Sequence, residues 1–319
     1  VERAVTRQQF KRLEEKLPSL TRHQQRRLLD NLQESFNRSE TITVIESRYE
    51  CNDRCPRCSE QKIQRWGKRH GLQRYRCKSC QRTFNALTGT PLARLRHKER
   101  WLSYSDSLRE GYSVRRSAKE NHLDPSTAFR WRHRFLSTPT HNQSVKMAGI
   151  VEADETFFAK SFKGNKHLTH RAPRKRGMNC HRRGPDRIPV LLIRDRLSTV
   201  ADFVYDKLEK AKVHQDLKSV MSEEIVLCTD GSSLYKTFSQ QENIPHKRLV
   251  GLSNQRVVDD IFHIQNLNVY TSRLKQWIRR FNGVSTKYLE NYLGWRRLIE
   301  KKCEGEKTGF YLKQVLNFC

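Results

Sequence analysis

The sequence predicts a multidomain α/β protein in which small helical and cysteine-rich modules precede a core built on one mixed sheet. Three observations carry this. Cys55-Pro-Arg-Cys58 and Cys77-Lys-Ser-Cys80 stand eighteen residues apart, the ligand spacing of a ribbon-type metal site. Short helical patterns then follow one another through residues 92–140. From residue 144 onward apolar strand patterns alternate with helical ones, an order that builds a sheet covered by helices.

Residues 1–47 read as an N-terminal helical segment, with Phe10, Leu13 and Leu17 at helical spacing, a break at Pro18, and Leu28, Leu29 and Leu32 beyond it. Thr21 with Gln24 three residues on forms a capping signature. Residues 48–88 are the ribbon, and Gln64 to Tyr75 reads as strand, turn and returning strand. Four thiolates from two tight turns suit structural Zn²⁺ through Cys55, Cys58, Cys77 and Cys80. A redox dithiol is the competing reading, but neither doublet sits in a βαβ pattern. Cys51 is expected to be a spare thiol. A site with all four positions filled is a scaffold, so chemistry is expected elsewhere.

Residues 92–140 hold helical patterns over Lys98 to Arg109 and Val114 to Glu120, and a third that opens at Asp124-Pro125-Ser126. The last two read as a helix-turn-helix, with Ser126, Thr127, Arg130, Arg132 and Arg134 offered to DNA and Ala128, Trp131 and Phe135 as anchors. A small helical bundle with solvated arginines is the alternative. Residues 144–300 form the core, with strand patterns at 149–158, 188–193, 200–205, 225–229 and 248–250 and long helices from about 264. Between its first two strands, 160–187 holds ten Lys or Arg and one acidic residue, a basic loop that includes Arg174, Lys175 and Arg176. Residues 301–319 are left as a C-terminal helix or tail.

Sixty-three Lys and Arg against thirty-four Asp and Glu give a formal charge of +29. A polyanion is the natural partner, nucleic acid ahead of an anionic membrane. Hydrophobic content of 35% allows modest cores, and no run reaches membrane-spanning length. Nine cysteines, four of them assigned to metal, leave an odd five. With no charged-then-apolar leader, a reducing cytoplasmic location is expected rather than a secreted disulfide framework.

Strand alternation puts Glu152 and Asp154 on one face, and Asp230 stands just past the carboxyl end of a buried strand, where open α/β sheets present ligand-facing groups. Two hard oxygen donors brought together suit Mg²⁺ or Mn²⁺ and in-line attack on phosphorus. Aspartates that merely cap a turn or pair with arginine are the competing reading.

Val-Glu-Ala-Asp-Glu-Thr-Phe (151–157), Thr-Asp-Gly (229–231) and His-Ile-Gln-Asn-Leu-Asn (263–268), with the run through Lys275 to Trp295, resemble the motifs of bacterial insertion-sequence transposases of the ISXO-like group. The resemblance spans roughly residues 10–300. It implies a zinc ribbon and helix-turn-helix ahead of an RNase H-like, DDE-type core. The activity it implies is metal-dependent cleavage and joining of double-stranded DNA at terminal inverted repeats and target, by a homodimer or higher oligomer. It places Asp154, Asp230 and Asn268 on magnesium and Lys275 on phosphate, and the cell interior, associated with the nucleoid, as the location. Asn268 stands where the commoner form has Glu, as in the subset whose triad reads Asp, Asp, Asn with Lys seven residues later. An asparagine oxygen coordinates a cation but accepts no proton. Glu155, Asp259 and Asp260 are nearby carboxylates that could complete the site instead. The rival functions are a non-catalytic DNA-binding regulator, such as an inactivated copy, and an RNase H-like nuclease or resolvase.

Overall fold

Local capping residues open the first two helices, and a proline lies in the turn that separates them. Thr6 and Gln9 exchange hydrogen bonds to open α1 (Arg7–Lys16), and Thr21 and Gln24 do the same for α2 (Arg22–Cys51). Pro18 occupies the short 3-10 turn between them. Next come β1 (Ile63–Arg69), β2 (Leu72–Cys77) and β3 (Thr83–Phe84), then α3 (Trp101–Arg109), α4 (Val114–Glu120) and α5 (Pro125–His141). The remainder alternates: β4 (Met147–Ala159), β5 (Arg187–Asp195), β6 (Val200–Val204), α6 (Lys210–Val220), β7 (Met221–Thr229), α7 (Ser233–Gln241) and β8 (His246–Arg248). Three helices close the chain: α8 (Gln265–Arg279), α9 (Leu289–Glu300) and α10 (Phe310–Leu316).

This computed structural model describes residues 5–51, 53–141, 143, 146–165, 167–169, 186–249, 257–259, 261–301 and 309–316. They fall into two units. The first takes residues up to 112, 116–124 and those from 307; the second takes 113–115 and 125–306. The division runs through the segment read as one helix-turn-helix domain, and it returns the C-terminal helix to the N-terminal unit.

In the first unit β1, β2 and β3 form an antiparallel sheet. Tyr49 at the end of α2 stacks on Tyr75 at 3.8 Å, and Phe84 joins them. Gly71, at φ +81°, turns β1 into β2 beneath Ile42, where a Cβ would lie 2.8 Å from the Ile42 methyl. Ile45, Trp101, Leu102, Tyr104, Leu312 and Leu316 are buried where α2, α3 and α10 meet. By contrast Phe10 and Leu13 of α1, Leu17 of the turn after it, and Leu28, Leu29, Leu32 and Phe36 of α2 are exposed.

The second unit is built on a five-stranded sheet in the order β6-β5-β4-β7-β8. Central β4 pairs antiparallel with β5 and parallel with β7. Alternation divides its side chains between two faces. Val151 and Ala153 pack with Leu191, Ile193, Val213, Leu217, Tyr235 and Phe238 under α6 and α7. The opposite face meets α8, whose Leu267, Tyr270 and Leu274 are buried. The β4/β7 register sets Glu152 beside Cys228, so two residues further on Asp154 comes level with Asp230, just past the end of β7, while β4 continues to Ala159.

Candidate active site and metal centre

Both cysteine doublets form the same turn. Ser59 follows Cys58 at φ 60° and Gln81 follows Cys80 at φ 58°, and these left-handed residues aim each pair of sulfurs inward. The Cys55 and Cys80 sulfurs lie 3.8 Å apart and those of Cys58 and Cys77 3.6 Å, with all four within 4.8 Å of one another. A tetrahedron with metal–sulfur bonds of about 2.3 Å has edges of about 3.8 Å, so the four atoms fit one ion. Backbone N–H groups of Cys80 and Ser79 point at the Cys77 sulfur and pull its thiol down to about 7, whereas at Cys58, against the Glu60 backbone N–H, burial and the neighbouring sulfurs push the thiol up to about 12. The Cys51 side chain lies outside the described residues.

In the second unit Asp154 sits mid-strand on β4, its Oδ1 accepting the Glu155 N–H at 2.8 Å. Asp230 occupies the exposed turn after β7, where its Oδ1 accepts from the Ser232 N–H at 3.1 Å. Gly231 at φ +87° makes that turn, and a Cβ there would stand 3.3 Å from the Arg248 guanidinium. Burial, then the charges of Asp230 and Glu155, push the Asp154 carboxyl up to about 6, against a smaller opposing pull from Lys275. Asp154 is thus within electrostatic reach of Asp230, Glu155 and Lys275.

Asn268 lies in the first turn of α8 with its side chain exposed, two helical turns before Lys275 on the same face. Glu155 points to the other side of the sheet. There its charge, after burial, raises the Tyr235 phenol well above its ordinary range. Asp259 is occupied by Lys247 at 2.7 Å, and Asp260 lies outside the described residues. Sequence reasoning missed the role of Glu152. It is 1% exposed and accepts the Leu267 N–H at 2.8 Å, with Arg196 3.2 Å away. A buried acid two residues before Asp154 was visible in the sequence; its partner in α8 was not.

Of the residues offered to DNA, Ser126, Arg130 and Arg134 are exposed and Thr127 is half-buried, with Arg130 Nη2 3.4 Å from Thr127 Oγ1. Ala128, Trp131 and Phe135 are buried, as anchors should be. Arg132 corrects the expectation. It is fully buried on the face of α5 that packs against α9, its guanidinium 4.8 Å from the Trp295 ring, and so it faces no phosphate. Arg174, Lys175 and Arg176 lie outside the described residues.

The molecule combines a mixed sheet, with Asp154 within β4 and Asp230 just past β7, and a four-cysteine cluster. Comparison with known proteins narrows its class. Residues 146–296 match the family model of the ISXO2-like transposase domain. An uncharacterised protein of the transposable element ISH50 from Halobacterium salinarum is 26% identical over 245 residues, covering 75% of this chain and 82% of its own. Both likenesses are to proteins of insertion sequences, and the matched domain is a transposase domain. Two solved structures, a pre-cleavage Mos1 transpososome and the Mos1 strand transfer complex, align with TM-scores of 0.25 at 10% and 11% identity. They cover 63% of this chain and 77% and 75% of theirs.

Proposed function

We propose that this chain is an insertion-sequence DNA transposase that binds the terminal inverted repeats of its element and cleaves and joins DNA strands. One observation carries the proposal: adjacent parallel strands β4 and β7 bring Asp154 and Asp230 near one another where the pairing of the two strands ends, within the segment that matches a transposase domain. Among the described residues neither aspartate is ion-paired with an arginine, as a purely structural role in a DNA-binding regulator would ask.

The donor set fits a divalent cation. Asp154 carries an ionisation cost that Lys275 does not offset, and a hard cation between carboxylates removes it. Asp154, Asp230 and Asn268 would hold Mg²⁺ or Mn²⁺, and the four cysteines would hold Zn²⁺. Divalent metal, when bound, supplies activation of the attacking oxygen and stabilisation of the leaving one. The protein's own part is positioning. Lys275 contacts the phosphate undergoing attack, and Asn268 contributes an oxygen without the charge or basicity of a carboxylate. Protons released by the attacking water, and later by the freed 3′-hydroxyl, pass to solvent or substrate. Exposed Ser126, Arg130 and Arg134, with Thr127 beside them, offer groups to base edges and phosphates, and the basic segment 160–187 supplies sequence-independent affinity. RNase H-like topology is consistent with the strand order and mixed directions of the sheet. Two copies, one for each transposon end, are the natural assembly.

The test is strand transfer with purified protein and the two ends of the element. Mg²⁺-dependent joining is expected; binding without any cleavage across Mg²⁺ and Mn²⁺ would leave the chain a regulator.

A further inference from the structure

We infer that Glu152 is a positioning residue that grips the first turn of α8 and so sets Asn268 and Lys275 against Asp154. The inference rests on the metal site proposed above. Glu152 and Asp154 lie on the same face of β4, one residue between them, and they do different work. Asp154 remains partly accessible, whereas Glu152 is 1% exposed. A buried carboxylate is costly unless bonded, and the hydrogen bond this one accepts comes from α8. Its Oε2 accepts the Leu267 N–H at 2.8 Å, the amide immediately before Asn268. That N–H belongs to the open first turn of α8, whose N-cap, Ile264, supplies no side-chain hydrogen bond. Glu152 thus gives the helix the anionic cap its own sequence lacks, from across the sheet.

Arg196, just past β5, completes the grip. Its Nη1 stands 3.2 Å from Glu152 Oε1 and 2.9 Å from His263 Nε2, while its Nη2 donates to the Ile261 carbonyl at 2.9 Å. His263 Nδ1 lies 3.6 Å from Glu152 Oε1. The approach to α8 and its first turn are therefore tied to the strand that carries Asp154. Groups that orient ligands from behind change metal affinity without touching the metal.

The experiment uses the full-length, zinc-loaded protein, with Mn²⁺ titrated calorimetrically and amide exchange followed across 261–268. Glu152→Gln, close in shape, should weaken Mn²⁺ binding about tenfold and speed exchange at Leu267. Glu152→Asp, which keeps the charge on a shorter arm, should recover part of both. Asp202→Asn, at a buried acid that pairs with Arg297 instead, should lower the melting temperature and move neither. Parental Mn²⁺ affinity or parental exchange in Glu152→Gln overturns the inference. Should Asp154→Asn bind Mn²⁺ as the parent does, the metal reading falls separately, and the exchange rates of Glu152→Gln still decide whether it holds α8.

Discussion

Asn268 supplies the most discriminating substitutions at the scale of single residues. As the neutral oxygen donor proposed above, it should tolerate loss badly and gain of charge well. Asn268→Ala should cut Mg²⁺-dependent strand transfer by about 100-fold, whereas Asn268→Asp should retain activity and bind Mn²⁺ more tightly. Full activity in the alanine variant would remove Asn268 from the site. His133 on α5 answers to pH. Burial, then the charges of Arg132 and Lys287, pull it down to about 4, and its Nδ1 lies 3.0 Å from the Asn291 amide. A histidine with a depressed folded-state pKa stabilises the fold above its unfolded value of 6.5 and loses that contribution as pH falls towards 4. Melting temperatures should therefore fall between those values, by the equivalent of up to about 3 kcal/mol, and fall less steeply in His133→Gln. The places of Asp154 within a strand and of Asp230 in a turn were legible because strand periodicity and an Asp-Gly pair are local signals. Arg132 was not, since the ring it stacks against, Trp295, comes from a helix far along the chain.

Elements were legible where their end signals are local. Thr21 with Gln24 and Asp124-Pro125 mark the starts of α2 and α5 where the structure has them. Beta-strand patterns likewise located β4 through β7. Helix α2 runs on to Cys51 because Glu46 and Tyr49 in its last turns dock onto β2, a contact no local pattern encodes. The ribbon has a core of few side chains, Tyr49, Tyr75 and Phe84 around the sulfurs, so a metal held by the four cysteines would carry much of its stability. Cys77→Ser should reduce bound zinc from about one per chain to near zero and unfold the ribbon, leaving the melting of the five-stranded sheet in place. Metal analysis beside calorimetry checks both halves. Zinc retained in that variant would contradict the four-cysteine site.

For the whole molecule, a formal charge of +29 means that DNA binding must displace many counterions, so affinity should fall steeply as salt rises. Replacing Arg174, Lys175 and Arg176 with alanine should lower the slope of log affinity against log salt by about 2 to 3, equally on element ends and random DNA. Arg130→Ala should instead erode the preference for element ends, by about 1–3 kcal/mol if it reads a base. Equal losses on both DNAs would remove α5 from recognition. The succession of helices and strands was legible from pattern and spacing, but the grouping into two units was not, because α10 returns to the N-terminal unit through burial against α2 and α3. The central claim is that recognition and chemistry reside in separate parts of one chain, with the chemistry at Asp154 and Asp230. Strand transfer on paired element ends, measured in Mg²⁺ beside end binding, tests it most directly. Asp154→Asn and Asp230→Asn should each abolish cleavage and joining while end affinity stays within about twofold of the parent. Joining that survives in both variants would contradict the account.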